Sequence, residues 1–197
     1  MIKRKANRYI KYDYSQNGYY FVTICTKGRL EYFGKIQNGN MIMNEFGKVV
    51  EQRWLWLQDH FDYVRCGEFV VMPNHFHGIL IIDSIVGTGR DLSFNPSNHP
   101  SNNNGTDNDP KGNNIIRTGH NLSLQKIKSL SELIGAFKTT SSKLIHQSGL
   151  KEFRWQRSFY DHIIRDEKSL QNIVQYIKDN SGNWEIDEDN IMKQGKK

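Results

Sequence analysis

The sequence has little of what marks secreted, membrane-spanning or fibrous proteins. Its 197 residues include only two cysteines, Cys25 and Cys66, which cannot build a disulfide framework. Four prolines and 16 glycines are too few for a collagen-like chain. The start lacks the apolar segment of a secretory signal, and the apolar stretches fall far below the ~20 residues that span a bilayer. We therefore expect a soluble, cytoplasmic protein with reduced thiols.

The composition is that of a folded domain with an uneven charge. Hydrophobic residues make up 37% and aromatic residues 12%, enough for a packed core. The formal net charge is +6. Residues 1–40 carry 8 basic and 2 acidic side chains, and residues 125–165 carry 8 and 3. These two basic regions could bind phosphates from two sides of a groove, or they could be ordinary solvated surface.

Periodicity and turn signals predict an irregular mixture of strands and helices. A strand over Tyr19–Thr26 is followed by a hairpin, Leu30–Gln37 and Met41–Met43, around Asn38-Gly39. Further strands are predicted over Tyr63–Met72, Phe76–Ile82 and Phe159–Arg165. Three helices are predicted: one capped by Asn44 and running to about His60, one opened by Ser129, and one over Glu167 to about Lys178 capped by Asp166. The order predicts an α+β fold, an antiparallel sheet with helices packed on one face.

One segment interrupts this pattern. Residues 95–114 hold eight Asn, three Pro and no aliphatic or aromatic side chain. They cannot bury a core, so they are interpreted as a flexible insertion rather than a linker between two domains. The chain is therefore predicted to form one domain over residues 1–184, followed by a tail over 185–197.

The central motif is Met72-Pro-Asn-His75-Phe-His77-Gly78. His75 and His77 lie two apart on a predicted strand, so their imidazoles should share a face while Phe76 points to the core. Two imidazoles on one face are natural ligands for a divalent metal, although a polar strand face with two solvated histidines would give the same pattern. Gly78 would let another group approach the strand closely.

A second feature lies on the third predicted helix. Tyr176 and Asn180 are four residues apart and share a helix face. A tyrosine hydroxyl can attack a phosphate and form a covalent ester, given a metal to polarise that phosphate. An amide oxygen one turn away could complete the metal's ligands. An amphipathic packing tyrosine is the alternative for Tyr176.

Four stretches together resemble a known family, the single-tyrosine HUH transposases of the insertion-sequence-200-like type, and within it the REP-associated tyrosine transposases. They occur in the family's order and cover most of residues 18–184. The stretches are YYFVTICTKGRLEYFG, VVMPNHFHGILII, LSELIGAFKTTSSKLI and FRWQRSFYDHIIRDEKSLQNIVQYIKDNSGNW. Relatives commonly have Asn-Pro after the tyrosine helix, whereas Asn180 is followed here by Ser181.

The resemblance implies a ferredoxin-like fold, close to RNA-recognition modules, and a metal-dependent chemistry on single-stranded DNA. His75 and His77 would bind Mg²⁺ or Mn²⁺, with Asn180 as a third ligand. Tyr176 would attack the strand, leaving a 5′-phosphotyrosine and a free 3′-hydroxyl that allow rejoining. The resemblance also implies recognition of hairpin or palindromic DNA, a homodimer, and association with the nucleoid when bound to DNA.

Several other residues are candidates with open alternatives. Tyr160 is a rival nucleophile, and His162 is either a polar contact near the site or an exposed strand residue. Aromatic residues near the basic start either stack on bases or pack in the core: Tyr9, Tyr12, Tyr14 and Tyr19. Candidate DNA phosphate contacts are Lys3, Arg4, Lys5, Arg8, Lys11, Lys138, Lys143, Arg154 and Arg157. A non-catalytic or RNA-directed nucleic-acid-binding module on the same fold is the alternative function.

Overall fold

The computed structural model describes residues 12–83 and 127–186 and shows an α+β fold. Six strands and three helices follow one another in the predicted order. Their bounds are β1 Gly18–Cys25, β2 Gly34–Gln37, β3 Asn40–Met43, α1 Glu45–His60, β4 Val64–Val71, β5 His75–Ile82, α2 Leu130–Gln147, β6 Tyr160–Ile164 and α3 Glu167–Asp179.

Four strands form the main sheet in the order β4-β5-β1-β6, and every neighbouring pair is antiparallel. Without the β2-β3 hairpin and α3, the chain runs β1-α1-β4-β5-α2-β6. This succession and strand order define a ferredoxin-like fold, so the predicted fold class is confirmed. The consequence for the site is that β1 and β5, far apart in sequence, lie side by side at the centre of the sheet.

The hairpin between β1 and α1 turns where predicted. Asn38 and Gly39 have φ values of 52° and 73°, the left-handed conformation that a two-residue hairpin turn requires. A short 3-10 turn over Lys27–Arg29 precedes the hairpin. The first strand of the hairpin begins at Gly34 rather than at the predicted Leu30, because the residues between bond elsewhere: the Leu30 carbonyl accepts from Thr26 Oγ1, and the Phe33 N–H donates to the Pro73 carbonyl.

The helix starts follow the predicted capping chemistry. The Asn44 side chain accepts hydrogen bonds from two backbone N–H groups of α1, and the Asp166 side chain accepts one from Ser169 at the start of α3. Ser129 and Glu132 form a reciprocal capping box at the start of α2. These caps satisfy backbone donors that a helix leaves unpaired at its first turn.

The alternation of side chains along β1 separates the two faces of the sheet. Tyr20, Val22 and Ile24 are buried in the large core that α1 and α2 cover. Phe21 lies on the other face, in a smaller cluster with residues of α3. Because the period of a strand is two, Thr23 shares this second face with Phe21.

The third helix packs on that second face. Leu170, Ile173, Val174 and Ile177 of α3 pack with Phe21, Ile79 and Ile164 of the sheet. The prediction of helices on one face therefore holds for α1 and α2, whereas α3 is on the opposite side. The reason is its own apolar stripe, which needs a surface to bury, and β1, β5 and β6 offer one there. This placement sets Tyr176 above the strand that bears the two histidines.

Two further sequence expectations concern the domain boundaries and membrane-spanning segments. The Asn-rich insertion at 95–114 lies outside the described residues, as does most of the tail, so the domain boundaries stay a prediction. Within residues 12–83 and 127–186, none of the helices combines the length and apolar character needed to cross a bilayer.

Candidate active site

His75 and His77 stand side by side on β5. Their ring centroids are 4.5 Å apart, and both side chains are almost completely buried. They point away from Phe76, which is buried in the core on the other face. The predicted shared orientation of the two imidazoles is therefore confirmed, and it follows from the strand's alternation.

Each imidazole is oriented by a hydrogen bond at its Nδ1 atom. Thr23 Oγ1 lies 2.8 Å from His77 Nδ1, because Thr23 is directly opposite His77 in the β1–β5 register. Asn74 Oδ1 lies 2.8 Å from His75 Nδ1. Asn74 Nδ2 donates to the backbone carbonyl of Arg29 at 3.1 Å, which leaves its Oδ1 as the acceptor. His75 Nδ1 therefore carries the proton, and the lone pair of the neutral ring is on Nε2.

The protein holds His75 in its neutral form. Burial is the main cause that lowers the pKa of His75, the positive charge of Arg29 also lowers it, and the Asn180 side chain acts in the opposite direction, so that the pKa is about 3. At neutral pH the ring is thus uncharged, which is the form that ligates a metal.

Tyr176 reaches the histidine pair from α3. Its hydroxyl lies 3.3 Å from His77 Nε2, and its ring meets the Phe21 ring edge-on at 6.0 Å between centroids. The side chain is nevertheless 48% exposed. The ring of Tyr176 thus packs on Phe21, while its hydroxyl is directed to His77 and the side chain remains half exposed.

Asn180 and Trp184 cover His75 from the end of α3. Asn180 is the C-terminal cap of the helix and is 3% exposed. Its Oδ1 atom is buried, and no hydrogen-bond partner for it lies among the described residues. The Trp184 ring lies 5.9 Å from the His75 ring between centroids. A buried amide oxygen without a donor is an acceptor that a cation or a substrate group would satisfy.

A cleft of about 710 Å³ opens on this face of the sheet. His77, Tyr176 and Asn180 line it, and Arg29 contributes a cationic side chain to the same wall. The volume is that of an ordinary small-ligand site. The cleft therefore brings together a phenol hydroxyl, an imidazole, an amide and a guanidinium.

The donor atoms fit a divalent metal that completes its coordination from outside the protein. Within the described residues, no group of three or more His, Cys, Asp and Glu side chains is placed to hold a metal ion. The available set is two imidazoles and the amide oxygen of Asn180, none of which supplies a negative charge. Such a set suits Mn²⁺ or Mg²⁺ only when water or phosphate oxygens supply the remaining ligands.

Comparison with known proteins identifies a relative across nearly the whole chain. No family model matches the sequence. An uncharacterized protein of Haemophilus influenzae (strain ATCC 51907 / DSM 11121 / KW20 / Rd) is 34% identical over 186 residues, which are 94% of this chain and 92% of that protein. The chain belongs to the family of this Haemophilus protein.

Two solved structures resemble the fold more remotely. One is a REP-associated tyrosine transposase bound to a REP hairpin, with 17% identity and a TM-score of 0.49 over 88% of this chain and 71% of that one. The other is a candidate transposase from Deinococcus radiodurans R1, with 12% identity and a TM-score of 0.43 over 87% of this chain and 95% of that one. Neither likeness is close enough to assign a function.

The predicted basic contacts lie in different surroundings. Lys138 donates to the backbone carbonyls of Gln156 and Arg157, and burial lowers its pKa. Arg154 donates to the carbonyls of Lys151 and Phe153. Both side chains thus stabilise the segment that leads into β6. Lys143 and Arg157 are exposed. Their contacts with DNA stay a prediction, and Lys3, Arg4, Lys5, Arg8 and Lys11 lie outside the described residues.

The candidate aromatic residues divide between core and cleft. Tyr12 and Tyr14 pack against Tyr20, with ring centroids 6.4 and 6.0 Å from it, and Tyr19 packs beside α3. These three follow the core interpretation, while Tyr9 lies outside the described residues. Tyr160 is exposed and lines the cleft, but the hydroxyl hydrogen-bonded to His77 is that of Tyr176. His162 is exposed on β6 beside a second cavity.

Sequence reasoning missed Thr23, Asn74 and Arg29. Thr23 becomes relevant only through the pairing of β1 with β5, for which the sequence holds no local signal. Arg29 reaches the cleft from the 3-10 turn with a φ of 53°, an uncommon conformation for a residue with a side chain. Asn74 could have been suspected, because it directly precedes His75.

Proposed function

We propose that the protein is a metal-dependent endonuclease and strand-transfer enzyme acting on single-stranded DNA, a transposase of the HUH tyrosine type. The observation that carries this proposal is the Tyr176 hydroxyl, 3.3 Å from His77 Nε2 and beside the buried His75. A phenol directed at one of a pair of oriented imidazoles, in a cleft that His77 lines, suits covalent phosphoryl transfer better than passive binding.

Tyr176 is the nucleophile in this proposal. Its Oη atom forms a bond to the scissile phosphorus while the bond from phosphorus to the 3′-oxygen breaks. The tyrosine proton passes to solvent, and the departing 3′-oxygen takes up a proton. The product is a 5′-phosphotyrosine and a free 3′-hydroxyl. Attack by a 3′-hydroxyl on the phosphotyrosine reverses these steps and rejoins the strands without an external energy source.

His75, His77 and Asn180 would hold the metal, through the two Nε2 atoms and the amide oxygen. When bound, the metal polarises the scissile phosphate and neutralises its developing charge. Because the lone pair of His77 Nε2 serves one partner at a time, a metal there would replace the hydrogen bond to Tyr176. Imidazole ligands favour Mn²⁺ over Mg²⁺, and a ligand set without negative charge gains affinity once a phosphate adds it.

The substrate is proposed to be a DNA hairpin or palindrome, on the resemblance of the four sequence stretches. The positive charge of residues 1–40 and 125–165 supports a polyanionic partner. Arg29 adds a fixed cation at the cleft wall, suited to pairing with a phosphate. A homodimer is proposed on the same resemblance.

The deciding experiment is to incubate the protein with labelled DNA hairpins and Mn²⁺ and separate the products on a denaturing gel. A covalent protein–DNA adduct is expected with the wild type. The adduct should be absent when a chelator is added and absent in Tyr176→Phe. The Tyr176→Phe variant should still bind the hairpin in a native gel. Tyr160→Phe is the matched control and should form the adduct. An adduct in Tyr176→Phe or full activity in chelator would contradict the proposal, and cleavage of only the RNA hairpin of the same sequence would favour the RNA-directed alternative.

A further inference from the structure

A second cavity of about 460 Å³ adjoins the cleft on the same face of the sheet. Phe21, Tyr160 and Tyr176 line both cavities, which are therefore neighbours, and we call the two together the groove. The second half of the groove lies over β6 and the first turns of α3. Of its lining residues, Tyr176 is the one that takes part in the proposed phosphoryl transfer.

Tyr160 stands between the two halves. It is 52% exposed, whereas its neighbour Asp161 points to the other side of the sheet and is buried. In the register of the sheet Tyr160 lies opposite Thr23, and Thr23 lies opposite His77. A single row across three strands therefore connects the exposed phenol ring to the histidine that contacts Tyr176.

The cavity around Tyr160 combines apolar and polar side chains. His162, Asn172, Ser169, Lys168 and Asp166 line it with hydrogen-bonding groups and with charges of both signs, and Phe21 and Ile173 supply apolar surface. An exposed aromatic ring with polar side chains around it is the composition of a site that stacks a flat, hydrogen-bonding ring. A nucleobase of a single strand has these properties, since every base has a π-face and polar edges.

We infer that Tyr160 is a stacking platform for one nucleobase of the bound single strand, next to the phosphate that Tyr176 attacks. Asn172 and His162 are placed to contact the edge of that base, which makes this half of the groove a determinant of the cleavage position. The inference rests on the proposed function, because it needs a single strand in the cleft. It assigns Tyr160 a binding role that depends on its ring and not on its hydroxyl.

The test is binding of single-stranded oligonucleotides in chelator, where no cleavage occurs, with 2-aminopurine placed at successive positions. Fluorescence quenching is expected at one position in the wild type and in Tyr160→Phe. In Tyr160→Leu that quenching should disappear, and Kd should rise by roughly 5- to 150-fold, as expected for loss of one stacked base. Trp56→Leu removes an aromatic ring from α1 on the opposite layer and serves as the matched control, and circular dichroism checks that every variant is folded.

The outcomes separate the two proposals. Equal Kd values for Tyr160→Leu and the wild type would overturn the stacking role while leaving the covalent chemistry intact. If Kd rose as much in Tyr160→Phe as in Tyr160→Leu, the stacking role would also be overturned, since binding would then depend on the hydroxyl of Tyr160 and not on its ring. If the wild type binds no oligonucleotide at all, the proposed function fails together with this inference.

Discussion

The hydroxyl of Tyr176 and the Nε2 atom of His77, 99 residues apart in the sequence, lie 3.3 Å from each other within one chain. The contact exists because α3 packs its apolar stripe on the sheet face that bears the histidines. The stripe ends in Ile177, which is buried, and the neighbouring Tyr176 is thereby directed over β5. The nucleophile and the metal ligands of the proposed site thus come from the same chain.

This cis arrangement predicts how mixed assemblies behave. In a dimer formed by co-expression of His77→Ala and Tyr176→Phe, each subunit lacks one half of its own site. No covalent adduct with a DNA hairpin is expected above the level of either variant alone, measured on a denaturing gel. Restored adduct formation would mean that the tyrosine acts on the histidines of the other subunit.

The reciprocal mixture is the positive control. A dimer of the wild type with the double variant His77→Ala, Tyr176→Phe keeps one complete site in cis, so about half of the wild-type adduct is expected. If sites were shared between subunits, neither would be complete in this mixture. The two mixtures therefore give opposite results for the two arrangements.

Thr23 is expected to tune metal binding without touching the metal. Its hydroxyl fixes the ring of His77 at Nδ1, and loss of such a supporting group typically weakens metal affinity about 10- to 100-fold. Thr23→Val should therefore weaken Mn²⁺ binding by that factor in calorimetry, and Thr23→Ser should restore it. Thr140→Val is the matched control, since Thr140 bonds only to backbone carbonyls within α2. Unchanged Mn²⁺ affinity in Thr23→Val would contradict the positioning role.

The elements of this fold could be predicted because their signals are local. The two-residue spacing of His75 and His77 with Phe76 between them oriented both histidines correctly. Asn38-Gly39 marked a turn, and the caps Asn44, Ser129 and Asp166 marked the helix starts. Two features could not be predicted, because they depend on contacts between distant parts of the sequence. Strand pairing placed Thr23 opposite His77, and the sheet face on which α3 packs depended on which surface α1 and α2 left uncovered. Neither has a signal in a short stretch of sequence.

Replacement of Gly78 by a larger residue is predicted to destabilise the fold, because the core leaves no room for a side chain there. A Cβ atom at this position would lie 2.7 Å from the Phe76 ring and 2.8 Å from the Trp54 ring, both of which are fully buried. The group that approaches the strand at this glycine is thus the aromatic core. Gly78→Ala should lower the free energy of unfolding by about 1–3 kcal/mol, the usual cost of overpacking, measured by urea denaturation.

Gly135 offers the opposite case in the same protein. It lies within α2, it is exposed, and nothing stands within 4 Å of an added Cβ atom. Gly135→Ala should raise the free energy of unfolding by about 0.5–1 kcal/mol through helix propensity. If both alanine variants changed stability in the same direction, the packing explanation for Gly78 would be wrong.

The thiol of Cys66 is predicted to be inert at physiological pH. Burial is the main cause that raises its pKa, to about 12; a backbone hydrogen bond at Gln58 acts in the opposite direction, and the charge of Asp59 acts in the same direction as burial. The Sγ atom also donates to the backbone carbonyl of Trp54 at 3.2 Å. At pH 8 the thiolate fraction of Cys66 should be roughly a thousandfold below that of an ordinary thiol, and it should grow only as the pH approaches 12.

The thiolate is the form that reacts with alkylating agents. In a Cys25→Ala variant, alkylation of Cys66 by iodoacetamide at pH 8 should therefore be slow in the folded protein and fast in 8 M urea, as followed by mass spectrometry. A folded-state rate within about tenfold of the unfolded rate would show that the thiol is neither buried nor perturbed in this way.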